Sequence, residues 1–506
     1  MQKQLNELRE RLAAVSDIRS AVAVLSWDQE VNMPPKGAEG RGHQIATLSA
    51  HAHRLFTDAA VGRLLDDLAS GADGLTPAEA KLIEVTQYDY DRATRLPESF
   101  VTELALECSK AYEIWVRARK ESSFALFRDS LARIVDLNRR KAEYFGFDES
   151  PYDALLDEYE RGMTTAQLRP LFGEVAKAQS ALVERIVNAP RQPDTTWTAG
   201  PWDEAAKWGF TVRVLRDLGF DMDAGRQDKS VHPFSTQFDL YDVRVTTRFS
   251  PDELFSGLMG TIHECGHALY SQGHDPADRR TPLLEGASLG IHESQSRLWE
   301  NVIGRSLPFW RHYLPILQEA FPERLKNVQP EQVYQAVNRV EHSLIRVEAD
   351  ECTYNLHVIL RFEIEVGLIE GTLSVDDVPD AWNAKVKEYL GLDVPDDAHG
   401  CLQDIHWSHG AFGYFPTYAL GNLYAAQLFE TIVAAIPDLW TQVDRGEFAP
   451  LLGWLRENIH RHGRRKLPLE ILKDATGKDP DWRPYLKYLE EKYGALYDLD
   501  AECSES

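Results

Sequence analysis

Cysteine is scarce: Cys108, Cys265, Cys352, Cys401 and Cys503 are all there are in 506 residues. An odd, sparse set without metal-ligand spacing excludes a disulfide framework and points to a reducing, cytoplasmic setting. Basic residues are in deficit, 55 Lys and Arg against 80 Asp and Glu, for a formal charge of −25. That balance argues against nucleic acid as a partner and suits a soluble protein. No run of 18 apolar residues occurs, so no membrane span is expected. The first ten residues, Met1 to Glu10, read as a charged amphipathic helix and not as a signal peptide. No internal repeat and no long low-complexity linker breaks the chain, so one large domain over 1–506, with two lobes around a cleft, is the expected organisation.

What the chain has in plenty is helical periodicity. Apolar residues recur at three-to-four spacing over Gln4–Leu25, Pro77–Ala93, Pro97–Lys120, Phe124–Phe145, Thr165–Asn188, Glu331–Gly367 and Val375–Leu390. Thr76-Pro77 and Ser374 mark helix starts. Asn188–Gly200, rich in Pro and Thr, reads as a loop. The fold class is therefore mainly α. One stretch departs from it: Ser235–Phe249 alternates with period two, with Asp242, Arg244, Thr246 and Arg248 on one face and Val243, Val245 and Thr247 on the other. It predicts a small sheet just ahead of the most informative motif.

That motif is His263-Glu264-Cys265-Gly266-His267. Histidines four apart share a helical face one turn apart, so both imidazoles can reach one metal ion. The glutamate between them is placed to take a proton from a water held by that ion, as in zinc peptidases. Ser250-Pro251-Asp252-Glu253 has the form of a capping box with proline at the first helical position, and predicts the start of this helix. Gly273 predicts its end. Cys265 reads as a small buried side chain. A third protein ligand is required of a catalytic site. The all-histidine pattern H-E-x-x-H-x-x-G-x-x-H slips here, since Tyr270 stands at the glycine, Gly273 at the third histidine, and His274 comes one residue late. The carboxylates Glu293 and Glu300, seven apart on one predicted helical face, are the alternatives, with Glu285 a weaker third.

Three further stretches are polar or aromatic out of keeping with a helix core. Ile345-Arg346-Val-Glu-Ala349-Asp350 sets an arginine and an aspartate four apart inside the predicted helix Glu331–Gly367, where a local salt bridge is the plain reading. Gly400-Cys-Leu-Gln403-Asp404-Ile-His406-Trp407-Ser-His409-Gly410 is dense in hydrogen-bonding groups. Ala411-Phe-Gly-Tyr414-Phe-Pro-Thr-Tyr418 follows it.

Taken together and in order, these motifs resemble the carboxypeptidase Taq (thermostable carboxypeptidase) family of zinc metallocarboxypeptidases. Leu25-Ser-Trp27-Asp28-Gln29, Pro151-Tyr-Asp-Ala-Leu-Leu-Asp157, His232-Pro-Phe, Asp242-Val-Arg244-Val-Thr246 and His292-Glu293-Ser-Gln295 extend the likeness over essentially the whole chain. The resemblance implies a helical clamshell with a deep active-site groove, a homodimer, and zinc with cobalt as a possible substitute. It implies removal of single residues, with broad specificity, from peptides with a free C-terminus. It selects Glu293 as the third ligand beside His263 and His267, with Glu264 as the base. Tyr418, and after it Tyr414, is the expected oxyanion donor by similarity to related helical zinc peptidases. His406, His232 and His409 are expected to hold substrate. Arg346, or else Arg244 or Arg248, is expected to bind the terminal carboxylate, because a planar guanidinium pairs with it at two points. The rivals are a zinc oligoendopeptidase, indifferent to a blocked C-terminus, and a non-catalytic scaffold.

Overall fold

The computed structural model describes residues 1–71 and 74–499; Cys503 lies outside them. The chain opens with four helices, α1 (Gln2–Val31), α2 (Ala38–Phe56), α3 (Ala59–Ser70) and α4 (Pro77–Arg95). They bury a hydrophobic cluster of their own around Leu5, Leu8, Phe56, Leu65 and Leu82. Thr76 and Glu79 cap α4 reciprocally, as the Thr-Pro signal predicts. Next come α5 (Glu98–Glu121), α6 (Phe124–Phe145), α7 (Pro151–Leu156), α8 (Thr165–Val187) and α9 (Glu204–Asp217). After a small sheet follow α10 (Leu258–Gln272), α11 (Leu289–Arg297), α12 (Leu307–Ala320), α13 (Pro322–Leu325) and α14 (Pro330–Val337). Then come α15 (Tyr354–Glu370), α16 (Val378–Leu390), α17 (Pro416–Ala435), α18 (Leu439–Asp444), α19 (Ala449–Asn458), α20 (Pro468–Thr476) and α21 (Arg483–Tyr497). The second, much larger cluster runs from α5 to α21, and α10, α11, α15 and α17 lie within it.

The sheet has the order β1-β3-β2, with β1 (Gly225–Lys229) parallel and β2 (Ser235–Asp239) antiparallel to β3 (Asp242–Thr247). The alternating stretch is thus two strands folded back at Leu240-Tyr241, not one. Val243 and Val245 are buried as the alternation requires, but Thr246 is buried as well. Its hydroxyl is consumed by Phe234 N and Ser230 Oγ across the sheet, which lets a polar-face residue go inside. Thr247 Oγ1 meets Thr261 Oγ1 of α10 at 2.9 Å, fixing the sheet against the start of α10.

Two helical boundaries differ from expectation. The capping signal at Ser250–Glu253 does not start α10. Gly200 and Trp202 donate their N–H groups to Asp252 and Pro251, and Glu253 bridges Ala199, so the segment pairs with the incoming loop. The helix starts only after Gly257, whose φ of 81° suits glycine; a Cβ there would lie 2.5 Å from the Phe249 ring. The second difference is that Glu331–Gly367 is not one helix. It breaks between Val337 and Tyr354 into an irregular stretch with one short 3₁₀ turn, Arg346–Glu348. Side chains satisfy the backbone there: Gln403 Oε1 accepts from Arg346 N at 2.9 Å, and Asp350 accepts from Cys352 N and Thr353 N at 2.8 and 3.1 Å. Asp350 is therefore committed to capping the chain ahead of α15, and Arg346 pairs elsewhere.

Candidate metal centre

Helices α10 and α17 both pack closely on α11 because a glycine removes the obstacle in each case. A Cβ on Gly266 would fall 2.6 Å from Gln295 O and Ser296 Cα of α11, and one on Gly421 of α17 would fall 2.4 Å from Glu293 Cγ. Glycine at the second "x" of the H-E-x-x-H motif is thus what lets the glutamate helix approach the histidine helix. The approach brings His263 Nε2 and His267 Nε2 to 3.6 and 3.4 Å from Glu293 Oε2. The two imidazoles stand nearly perpendicular, 83° apart.

These are the separations a metal would impose. A tetrahedral ion with ligand bonds of ~2.0–2.2 Å holds its donors about 3.3–3.6 Å apart. The donor set, two neutral imidazoles and one carboxylate, suits a divalent ion, and no other cluster of three such groups with this spacing occurs among the described residues.

The three candidate ligands are themselves held. Glu300 Oε2 lies 2.9 Å from His263 Nδ1 and takes Arg305 on its other oxygen at 2.9 Å. His267 Nδ1 lies 2.6 Å from His292 Nδ1. With Nε2 of each ligand turned to the metal position, the Nδ1–H of His263 donates to a carboxylate and that of His267 to a neutral imidazole. Arg297 Nε donates to Glu293 Oε1 at 2.7 Å and lies over the Tyr354 ring at 4.4 Å. Burial alone would raise the Glu293 pKa, but Arg297 and the two histidines reverse this and hold the carboxyl ionised far below its usual range. Glu264 is 7% exposed, and burial pushes its pKa up. A carboxylate made more basic beside a metal position is equipped to accept a proton.

Glu300 therefore lies on the Nδ1 side of His263, outside the group of three that could hold an ion. The sequence assigns no role to Arg297, and His292 figures there only within the His292-Glu293-Ser-Gln295 motif, although each carries a signal. Arg297 is one helical turn beyond Glu293, where an opposite charge meets it, and His292 adjoins it. Glu285 lies apart, 3.3 Å from Arg464.

A second group of side chains lies near enough to Glu293 to feel its charge. Tyr414 and Tyr418 stand with ring centroids 5.3 Å apart, and Tyr418 OH is 3.5 Å from His406 Nε2. Burial pushes the pKa of both phenols up, with Glu293 among the charges acting on each. The Arg346 guanidinium sits 5.1 Å above the Tyr418 ring, donates to Tyr354 OH at 3.0 Å, and pairs with Asp404 at 2.7 Å. Asp404 also takes the fully buried Arg361. Two arginines thus share one carboxylate, leaving a net positive charge next to the tyrosines. His406 is held neutral, its pKa pushed down to about 4 by burial.

The remaining expected residues are not gathered here. His409 is exposed and packs on Tyr112 of α5, ring centroids 5.4 Å apart. Arg244 is spent on Asp242 at 2.8 Å and lies over Trp27. Arg248 is exposed and donates to Val231 O at 3.3 Å. His232 is exposed, its carbonyl accepting from Ser230 Oγ.

Comparison with known proteins decides the lineage. The family model described as carboxypeptidase Taq (M32) metallopeptidase matches residues 7–493. The chain belongs to that family. It is 41% identical to carboxypeptidase 1 of Bacillus subtilis, over 97% of this chain and 98% of that one. It is 42% identical to thermostable carboxypeptidase 1 of Thermus thermophilus, over 95% and 96%. The crystal structure of the M32 carboxypeptidase from Deinococcus radiodurans superposes with a TM-score of 0.96 at 42% identity, covering 98% of this chain and all of the other. The protein is a metal-dependent carboxypeptidase with a mainly helical fold.

Proposed function

We propose that the enzyme is a zinc carboxypeptidase that releases single residues, with broad specificity, from peptides with a free C-terminus. The observation that carries the zinc assignment is the convergence of His263 Nε2, His267 Nε2 and Glu293 Oε2 within 3.4–3.6 Å, with Glu264 beside them. These three residues would hold the ion, with cobalt a possible substitute because it accepts the same donors. When bound, zinc supplies Lewis-acid polarisation of the scissile carbonyl and lowers the pKa of the attacking water.

The chain's own residues do the rest. Glu264 takes the proton from the water and returns it to the leaving amine. Glu300 and His292 keep the two imidazoles in the tautomer that offers Nε2. Tyr418, with its hydroxyl 3.5 Å from His406 Nε2, donates to the oxyanion as charge develops, and Tyr414 stands second. His406 orients the Tyr418 hydroxyl and the substrate backbone. Arg346 draws in the terminal carboxylate with the charge that Asp404 leaves unneutralised. Arg244, Arg248, His232 and His409, each engaged or exposed elsewhere, are outer contacts at most.

Two further features belong to the same reading. The described cysteines are all free, which suits a cytoplasmic setting. Val101, Tyr112 and Val116 are exposed along one face of α5, an apolar row for the second copy of a homodimer.

Glu264→Gln tests the central role. The variant is expected to keep stoichiometric zinc and lose about 10²–10⁴-fold in kcat. Turnover at the wild-type rate would remove Glu264 from the mechanism.

A further inference from the structure

A cavity of about 510 Å³ opens next to the metal centre, walled by the N-terminal helices on one side and by the approach to α11 on the other. It touches the site at two points. His292, whose Nδ1 is 2.6 Å from His267, lines it, and so does Tyr159, whose ring is 5.1 Å from that of Tyr414.

Its charges do not cancel. Every carboxylate in the wall faces a cation, although two of them share one: Asp89 and Glu285 both meet Arg464 at 2.6 and 3.3 Å, Asp157 meets Arg92 at 3.0 Å, and Glu158 meets Lys141 and Arg92. Lys466 is paired with Asp474 at 2.7 Å. Arg19 and Arg161 have no carboxylate within 4.0 Å among the described residues. The guanidinium of Arg161 lies over the Tyr88 ring, 3.8 Å from its centroid, and Tyr88 OH is itself tied to Asp157. Arg161 is thus held in place by an aromatic face, with its N–H edge free. In a chain of charge −25, the wall beside the metal position carries a small positive excess, Arg19, Arg92, Arg161, Arg464 and Lys466 against Asp89, Asp157, Glu158 and Glu285.

We propose that this cavity takes the part of the peptide substrate upstream of the scissile bond, and that Arg161, with Arg19 at the rim, selects acidic side chains there. The inference rests on the carboxypeptidase reading: with the free C-terminus at the Arg346–Tyr418 side, the rest of the peptide leaves past His292. A cavity of this volume is about 10 Å across, the span of roughly three extended residues. The preference therefore falls on side chains about two to four positions before the scissile bond. Two unpaired cations in a cleft also raise the encounter rate of acidic peptides.

The test uses free-acid hexapeptides identical except for Glu or Lys at one upstream position, with a short free-acid peptide that cannot reach the cavity alongside. The wild-type enzyme is expected to favour Glu over Lys by roughly three- to fivefold in kcat/KM at low salt, and less at high salt. Arg161→Gln is expected to bring that ratio close to one, and Arg161→Glu to invert it. Equal kcat/KM for the two peptides in the wild type, or a ratio unmoved by either substitution, overturns the assignment while leaving the carboxypeptidase reading intact. Failure to cleave even the short peptide overturns that reading, and the cavity's role with it.

Discussion

The two histidines proposed as ligands face unequal partners. His263 faces the carboxylate of Glu300 at 2.9 Å, whereas His267 faces the imidazole of His292 at 2.6 Å. A carboxylate makes its histidine a stronger donor to a metal, so Glu300 contributes more to affinity than a neutral acceptor does. Glu300→Gln is expected to weaken zinc binding about 10–100-fold, read as Kd by competition with a chelator. An unchanged Kd would mean that Glu300 serves only to neutralise Arg305 and Arg297. The third ligand is held differently again. Arg297 neutralises one oxygen of Glu293 while the other faces the histidines, so the carboxylate is aimed before any metal arrives.

At the scale of elements, the site depends on how closely α10 and α11 run. Gly266→Ala would place a methyl group 2.6 Å from α11 backbone atoms that have no room to yield. The expected cost is about 1–3 kcal/mol in unfolding free energy, with lower zinc occupancy because the ligands are pried apart. Denaturation and metal analysis of the purified variant check both; wild-type occupancy would show that the helices can separate without losing the site. The same elements show what the sequence made legible. The H-E-x-x-H spacing, α4 with its capping box, α6 and α8 follow from periodicity and capping, which act within a few residues. What fails does so where distant groups override the local signal. Ser250–Glu253 has the form of a helix start, but its backbone pairs with Ala199–Trp202. The stretch between Val337 and Tyr354 has apolar spacing, but Gln403, from far along the chain, takes the Arg346 N–H that a helix would use. Strand β1 offered no alternation of its own and exists because β3 supplies its partner. Arg346 sits in a gap between helices for the same reason: its partner is Asp404, not the local Asp350.

The whole molecule carries its functional groups on a lattice of buried charges, and these make stability depend on pH in opposing ways. Glu160 is fully buried, accepts from Gly290 N at the start of α11, and has its pKa pushed up by burial to about 7. A carboxyl with a raised folded pKa stabilises fully below its unfolded value near 4.5, and that contribution is lost as pH rises through about 7. Glu160→Gln does not titrate. The stability advantage of wild type over this variant is therefore expected to shrink between pH 5 and pH 8, by up to about 3 kcal/mol. Urea titrations at the two pH values check the sign, and an advantage that grows with pH would contradict it. Asp404 runs the other way. Despite its burial, Arg361 and Arg346 hold its carboxyl far below the usual range, so its contribution is present above pH 4 and lost in acid.

The central claim is that this lattice serves a metal-dependent exopeptidase. The most direct measurement is a mass-spectrometric time course on one peptide in free-acid and amidated forms, with and without a zinc chelator. A ladder of single-residue losses from the free acid alone, abolished by the chelator and restored by added zinc, is the predicted result. Internal cleavage of both forms, or a ladder that persists after the metal is stripped, would contradict it.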